Sequence, residues 1–137
     1  MNKLLILQGI PASGKSTFAK QWVEKSPETR VIVSRDAIRR SLGVYWVPSR
    51  EHLVSSIEEH SVWEALDSGY DVCLDATNFN QTFLNKWVEI TDSLNIPIEY
   101  KRFNISLEEA LERDRNREHS VGDDVVIKFY NNYAQND

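Results

Sequence analysis

The residues best suited to chemistry lie in a few short stretches, of which residues 9–16, Gly-Ile-Pro-Ala-Ser-Gly-Lys-Ser, are the most specific. They fill every fixed position of the G-x-x-x-x-G-K-[ST] phosphate-binding loop. Gly9 and Gly14 lack a Cβ, which frees the backbone for turns that aim several N–H groups at one anion, with Ala12, Ser13 and Thr17 in the same cradle. A helix opening near Lys15 adds its unpaired N-terminal amides and the positive end of its dipole. The Lys15 ammonium suits the β- and γ-phosphates of a nucleoside triphosphate, and the Ser16 hydroxyl suits Mg²⁺. The plainer reading is a glycine-containing strand-to-helix turn with no ligand. The apolar run before the loop and the amphipathic segment after it favour the phosphate site.

Three further groups carry charge at useful spacings. Asp36 and Arg39 are three residues apart, on one helical turn, and face the same way. So placed, Asp36 can take the proton of an attacking hydroxyl while Arg39 grips an anionic group on the acceptor; a surface ion pair is the alternative. Asp75 closes an apolar run, where a carboxylate can hold Mg²⁺ or its waters, or cap a turn. Arg113 and Arg117 share a helix face, with Arg115 on the other side. A mobile helix carrying them over a triphosphate would stabilise charge in transit. A solvated helix balanced by Glu112, Asp114 and Glu118 is the alternative. Tyr45 and Trp46 either stack on a base or cover an edge of the core. His52, His60 and His119 show no metal-ligand spacing.

The elements that must position these groups alternate along the chain. Leu4 to Leu7 reads as a strand buried on both faces, followed by a helix on Phe18, Ala19, Trp22 and Val23 that ends at Ser26-Pro27. Val31 to Ser34 is a second strand running into a short helix that contains Asp36, and residues 43–49 form a loop. A long helix over about residues 50–67 precedes a third strand ending on Asp75. Phe83, Trp87, Ile90 and Leu94 mark one face of the next helix. Residues 97–103 are a fourth strand, which Lys101 and Arg102 place near an edge. Ser106-Leu-Glu-Glu109 is a capping box; its helix dissolves into the charged tract 112–118, and a last helix runs from Asp123 to about Ala134. The expected fold is α/β, a small parallel sheet of about four strands with helices on both faces and ligands at the strands' carboxyl ends.

With 137 residues the chain is expected to be a single domain over residues 1–137, and 41% hydrophobic with 27% charged residues is a soluble globular composition. The single cysteine, Cys73, lies in an apolar run, excludes an internal disulfide and suits a reducing compartment, so a cytoplasmic setting is expected. No stretch reads as a signal peptide or membrane span. A net charge of −5 means that nucleic acid would have to be held by a local basic patch.

Taken together, residues 9–16, Ser34-Arg35-Asp36-x-x-Arg39, Asp75-Ala-Thr77-Asn78-Phe-Asn80 and Arg113-x-x-x-Arg117 resemble the kinase domain of the bacteriophage polynucleotide 5′-hydroxyl kinases over nearly the whole chain. The resemblance implies a host-cell cytoplasmic enzyme, if phage-encoded, that transfers the γ-phosphate of ATP or another NTP to the 5′-hydroxyl end of DNA or RNA, with Mg²⁺. It implies that Lys15 and Ser16 hold the phosphates and Mg²⁺, and that Asp36 is the general base. Arg39 would bind the phosphate 3′ to the acceptor nucleoside, and Arg113 and Arg117 would be lid arginines. The bacteriophage pattern puts its carboxylate immediately before Thr-Asn, where this chain has Ala76; related small P-loop kinases share Asp-Ala-Thr-Asn, and Asp75 is the candidate metal residue on that basis. No Asp-x-Asp phosphatase motif is present, so 3′-phosphatase activity is expected to be absent or on another chain. Two other readings stand beside this one. One is a kinase of a nucleoside, sugar or antibiotic, which the acidic net charge favours. The other is a nucleotide-dependent switch, which the absence of an N-K-x-D motif disfavours.

Overall fold

The computed structural model describes residues 1–133. Four parallel strands, β1 (Leu4–Gln8), β2 (Arg30–Ser34), β3 (Asp71–Asp75) and β4 (Ile98–Arg102), form one sheet in the order β2-β3-β1-β4. Leu4 and Ile6 point to one face of the sheet and Leu5 and Leu7 to the other, and all four are buried. Helix α1 (Lys15–Glu24) lays Ala19 and Trp22 against Leu5, Leu7 and Cys73. Helices α3 (Glu51–Asp67) and α4 (Gln81–Leu94) cover the opposite face with Val62, Leu66 and Trp87. Cys73 is fully buried, and burial pushes its thiol up to about 12, so it is a packing residue.

Two short connections set the site. Ser34 at the end of β2 is the register partner of Asp75 at the end of β3, so helix α2 (Arg35–Ser41) starts at the residue after that partner. The Ser34 side chain accepts from the Ala37 amide and fixes where α2 begins. Helices α5 (Leu107–Asn116) and α6 (Asp123–Asn132) pack on Ile10 of the phosphate loop through Ala110 and Val126. The arginine-bearing segment is thereby joined directly to the loop.

The structure differs from expectation in three local ways. Helix α5 does not dissolve at residue 112 but continues to Asn116, because Asp114 is turned inward and buried. Only half of the capping box forms: Ser106 accepts from the Glu109 amide, while the Glu109 carboxylate pairs with Arg113. Ala134, the expected end of the last helix, lies outside the described residues.

Candidate active site

The phosphate loop reaches its shape by a different division of labour from the expected one. Gly14 sits at φ 106°, a left-handed conformation open to glycine, and Ala12 takes φ 66° despite its Cβ. These turns line up inward-facing amides, the arrangement that binds anions. Gly9 is required for space: a Cβ there would lie 2.5 Å from Ser13 Oγ and 3.1 Å from Phe103 Cβ. Helix α1 begins without a side-chain cap, which leaves its first amides open to a ligand. Lys15 folds back into the loop, donating to the Gly9 and Ile10 carbonyls at 2.8 Å each. Burial lowers its ammonium to about 8, against the opposing pull of the Asp75 and Asp36 carboxylates.

Ser16 donates to Asp75 Oδ2 at 2.9 Å, bringing the loop's hydroxyl to the end of β3. Burial raises the Asp75 carboxyl above its ordinary value, with the Ser16 hydrogen bond and Lys15 opposing. The turn after Asp75 is tied to β1 as well: the buried Asn78 amide group donates to the Leu7 carbonyl, Gln8 donates to the Asn78 carbonyl at 3.1 Å, and the Gly9 amide donates to the Thr77 carbonyl. A hydroxyl and one carboxylate are hard oxygen donors, and a Mg²⁺ ion completes such a set with phosphate oxygens and water. Among the described residues no group of three or more His, Cys, Asp or Glu side chains could hold a metal. The Ser16–Asp75 pair therefore fits a metal shared with a phosphate ligand.

The second side of the site is an acid–arginine cluster on α2 and α3. The ion pair between Asp36 and Arg39 forms, at 2.8 Å, and Arg39 is also gripped by Glu51 at 2.6 and 3.1 Å. Asp36 accepts a further hydrogen bond from the Tyr45 hydroxyl at 2.7 Å. Burial opposes the Asp36 charge, but the Tyr45 hydrogen bond and the Arg39 guanidinium outweigh it and hold the carboxyl below its ordinary value. Burial and the bond to Asp36 push the Tyr45 phenol up to about 12. Beneath them Arg35 pairs with Glu58 at 2.9 Å and is bonded to Ser55. Glu58 is 3% exposed, and burial raises its carboxyl despite Arg35.

The arginines of α5 complete the ring. Arg113 Nη1 lies 3.8 Å from where a Gly14 Cβ would be, and its partner is Glu109 at 2.6 Å. Arg117 follows the end of α5 with extended backbone, so the two do not share one continuous helix face. Arg117 Nε donates at 2.9 Å to Asp114 Oδ1. Asp114 also accepts the Val121 and Gly122 amides at 3.0 Å each, fixing the approach to α6. Arg115 points elsewhere, to Asp123. The acids in ion pairs with these arginines are Glu109, Asp114 and Asp123, while the expected Glu112 acts on Arg115 through space.

The phosphate loop, the acid–arginine cluster and two α5-segment arginines share one cleft of about 1450 Å³, lined by Ala12, Gly14, Lys15, Ser16, Thr17, Asp36, Arg39, Asp75, Arg113 and Arg117. Gly9 and Ser13 shape the loop from behind. The cleft is also lined by His52, Glu51 and Glu58, which sequence reasoning assigned to no site. Glu58 carried a signal: it interrupts the buried stripe Val54, Val62 and Leu66 at four-residue spacing. Tyr45 and Trp46 cover no core edge; Trp46 is 58% exposed and Tyr45 braces Asp36.

The AAA_33 family model, described as an AAA domain, matches residues 4–133. The L-seryl-tRNA(Sec) kinase of Methanococcus maripaludis is 27% identical over 133 residues, covering 95% of this chain and 52% of that protein. A protein of Autographa californica nuclear polyhedrosis virus named for a bifunctional polynucleotide kinase/RNA ligase is 26% identical over 145 residues, covering 97% of this chain and 21% of that one. The chain therefore spans about half or less of the length of these relatives. A chain in the solved Pnkp1/Rnl/Hen1 RNA repair complex matches with a TM-score of 0.81 at 27% identity, over 98% of this chain and 45% of that chain.

Proposed function

The chain belongs to the AAA_33 family, within the P-loop kinases, and we propose that it transfers the γ-phosphate of ATP, or another NTP, to the 5′-hydroxyl end of DNA or RNA. The observation that carries this reading is one cleft in which Asp36 and Arg39 face the phosphate loop. At about 1450 Å³ the cleft exceeds the roughly 300–1,000 Å³ of ordinary small-molecule sites, which leaves room for a donor and an acceptor together. Names of relatives support a nucleic-acid acceptor: a viral polynucleotide kinase/RNA ligase and an RNA repair complex. Residues 1–137 would act as one kinase domain.

In this reading the loop amides and Lys15 bind the β- and γ-phosphates, and Ser16 and Asp75 would hold Mg²⁺, which neutralises phosphate charge when bound. Asp36 accepts the proton of the 5′-hydroxyl as its oxygen attacks the γ-phosphorus. Arg39, oriented by Glu51, holds the phosphate on the acceptor's 3′ side. Arg113 and Arg117 stabilise charge on the transferring group.

The direct test is incubation with γ-labelled ATP, Mg²⁺ and a 5′-hydroxyl oligonucleotide. Label on the 5′ end supports the reading; label only on a small alcohol contradicts it. A second reading, a kinase of a small hydroxylated molecule, draws on the net charge of −5. Here Arg39→Ala would leave acceptor KM nearly unchanged, whereas a polynucleotide acceptor requires a large rise.

The pH profile follows from Lys15. Its charge in the free protein is present below about 8 and lost as pH rises through that value. We expect kcat/KM for ATP to fall on the alkaline side from about 8. The bound triphosphate favours the ammonium, so kcat should persist to higher pH. Asp36, held below its ordinary value, should impose no acid limb between about pH 5 and 7. Rate measurements from pH 5 to 10 at limiting and saturating ATP check both statements.

A further inference from the structure

Beyond the cleft, the loop between α2 and the 3₁₀ turn Pro48–Arg50 presents apolar side chains that nothing in the described residues covers. Val44 is 70% exposed, Trp46 58%, and Leu53 on the first turn of α3 41%. The loop is nonetheless pinned. Arg50 donates to the Leu42 carbonyl at 2.9 Å and to the Val44 carbonyl, and the Tyr45 hydroxyl is bound to Asp36. A pinned loop displaying a tryptophan is a surface prepared for a partner.

Its charge says which partner. The Arg39 guanidinium lies 5.6 Å from the Trp46 ring centroid and 5.9 Å from that of Tyr45, and Arg40 lies 5.3 Å from Tyr45. Arg39 spends three of its five N–H groups on Asp36 and Glu51 and keeps two, while Arg40 makes no ion pair among the described residues and its Nε is buried without a hydrogen-bond partner. An exposed tryptophan with the Arg39 guanidinium beside its ring, and a second guanidinium without an ion pair over the neighbouring Tyr45, matches an unpaired nucleotide, whose base stacks while its phosphate takes a cation. Arg39 links the two ends, bonded to Asp36 at 2.8 Å and 5.6 Å from the Trp46 ring centroid. If Asp36 meets the 5′-hydroxyl and Arg39 the following phosphate, the next base arrives at Trp46.

We propose that Val44, Tyr45 and Trp46 form a stacking subsite for the base on the 3′ side of the reacting nucleoside, and that Arg40 pairs with the phosphate beyond it. The acceptor is then a single strand at least two nucleotides long, since stacking needs an unpaired base. This subsite rests on the polynucleotide reading of the cleft.

The test compares a single-stranded 5′-hydroxyl decanucleotide with a nucleoside 3′-monophosphate as acceptors, using the wild-type chain, Trp46→Ala, Trp46→Phe and Arg40→Ala. We expect Trp46→Ala to raise KM for the decanucleotide about tenfold more than for the mononucleotide, and Trp46→Phe to restore most of the loss. Binding of the same decanucleotide without ATP, followed by fluorescence anisotropy, should weaken by a similar factor. In Arg40→Ala the slope of log affinity against log salt should become shallower by about 0.7. Equal KM shifts for both acceptors, or binding unchanged in Trp46→Ala, would overturn the subsite. If the wild-type chain phosphorylates neither acceptor yet its binding depends on Trp46, the subsite stands and the reaction assigned to the cleft falls.

Discussion

Asp36→Asn is expected to lower kcat by about 10²–10⁴-fold while leaving KM for ATP nearly unchanged. The substitution keeps the shape and the Oδ1 that accepts from both Tyr45 and Arg39. It removes the lone pair that must receive the hydroxyl proton. Arg39 stays anchored because Glu51 holds it through two further bonds. A drop in stability large enough to unfold the chain is not expected, and thermal denaturation of the variant checks that. Steady-state kinetics with ATP varied at saturating acceptor separate the two parameters. A rate within threefold of wild type would remove Asp36 from the reaction.

Arg117→Ala is the second large effect, a loss of about 10³-fold in kcat, within the range measured for arginines that stabilise phosphoryl transfer. The side chain lines the cleft, and its charge is close enough to oppose that of Lys15. Asp114, left behind, still accepts the Val121 and Gly122 amides, so the α5–α6 connection keeps two of its three bonds. Arg117→Lys should recover only a small part. An ammonium lacks the fork that lets guanidinium bond Asp114 through Nε while its terminal nitrogens remain available for a phosphate. Equal activity of the lysine and arginine forms would show that only charge is needed.

The parts of this site that were legible in the sequence are those whose constraints are local. Residues 9–16 announce themselves because turn geometry and amide display depend on a few neighbouring residues. The polar residues at strand ends were legible for a similar reason: the three-residue apolar runs Val72–Leu74 and Val31–Val33, ending in Asp75 and Ser34, already place those ends on the ligand side of a parallel sheet. Contacts between distant segments were not. Glu51 gripping Arg39 joins residues twelve apart across a loop, and no periodicity reports it. Asp114 hid among five neighbouring charges that read as solvated; its burial follows from the fold of the segment to Gly122, which bends back to donate two amides. The two loop glycines were expected to serve alike. Of the two, only Gly14 needs a left-handed backbone, whereas at Gly9 a Cβ would crowd Ser13 Oγ within the loop and Phe103 just after β4.

The measurement that bears most directly on the account is a crystal structure with Mg²⁺, a non-hydrolysable ATP analogue and a 5′-hydroxyl dinucleotide. The account predicts the 5′-oxygen about 2.6–3.2 Å from an Asp36 carboxylate oxygen, opposite the leaving phosphate across the γ-phosphorus held by Lys15. A dinucleotide bound with its hydroxyl away from Asp36, or on the same side of the γ-phosphate as the leaving group, would contradict it.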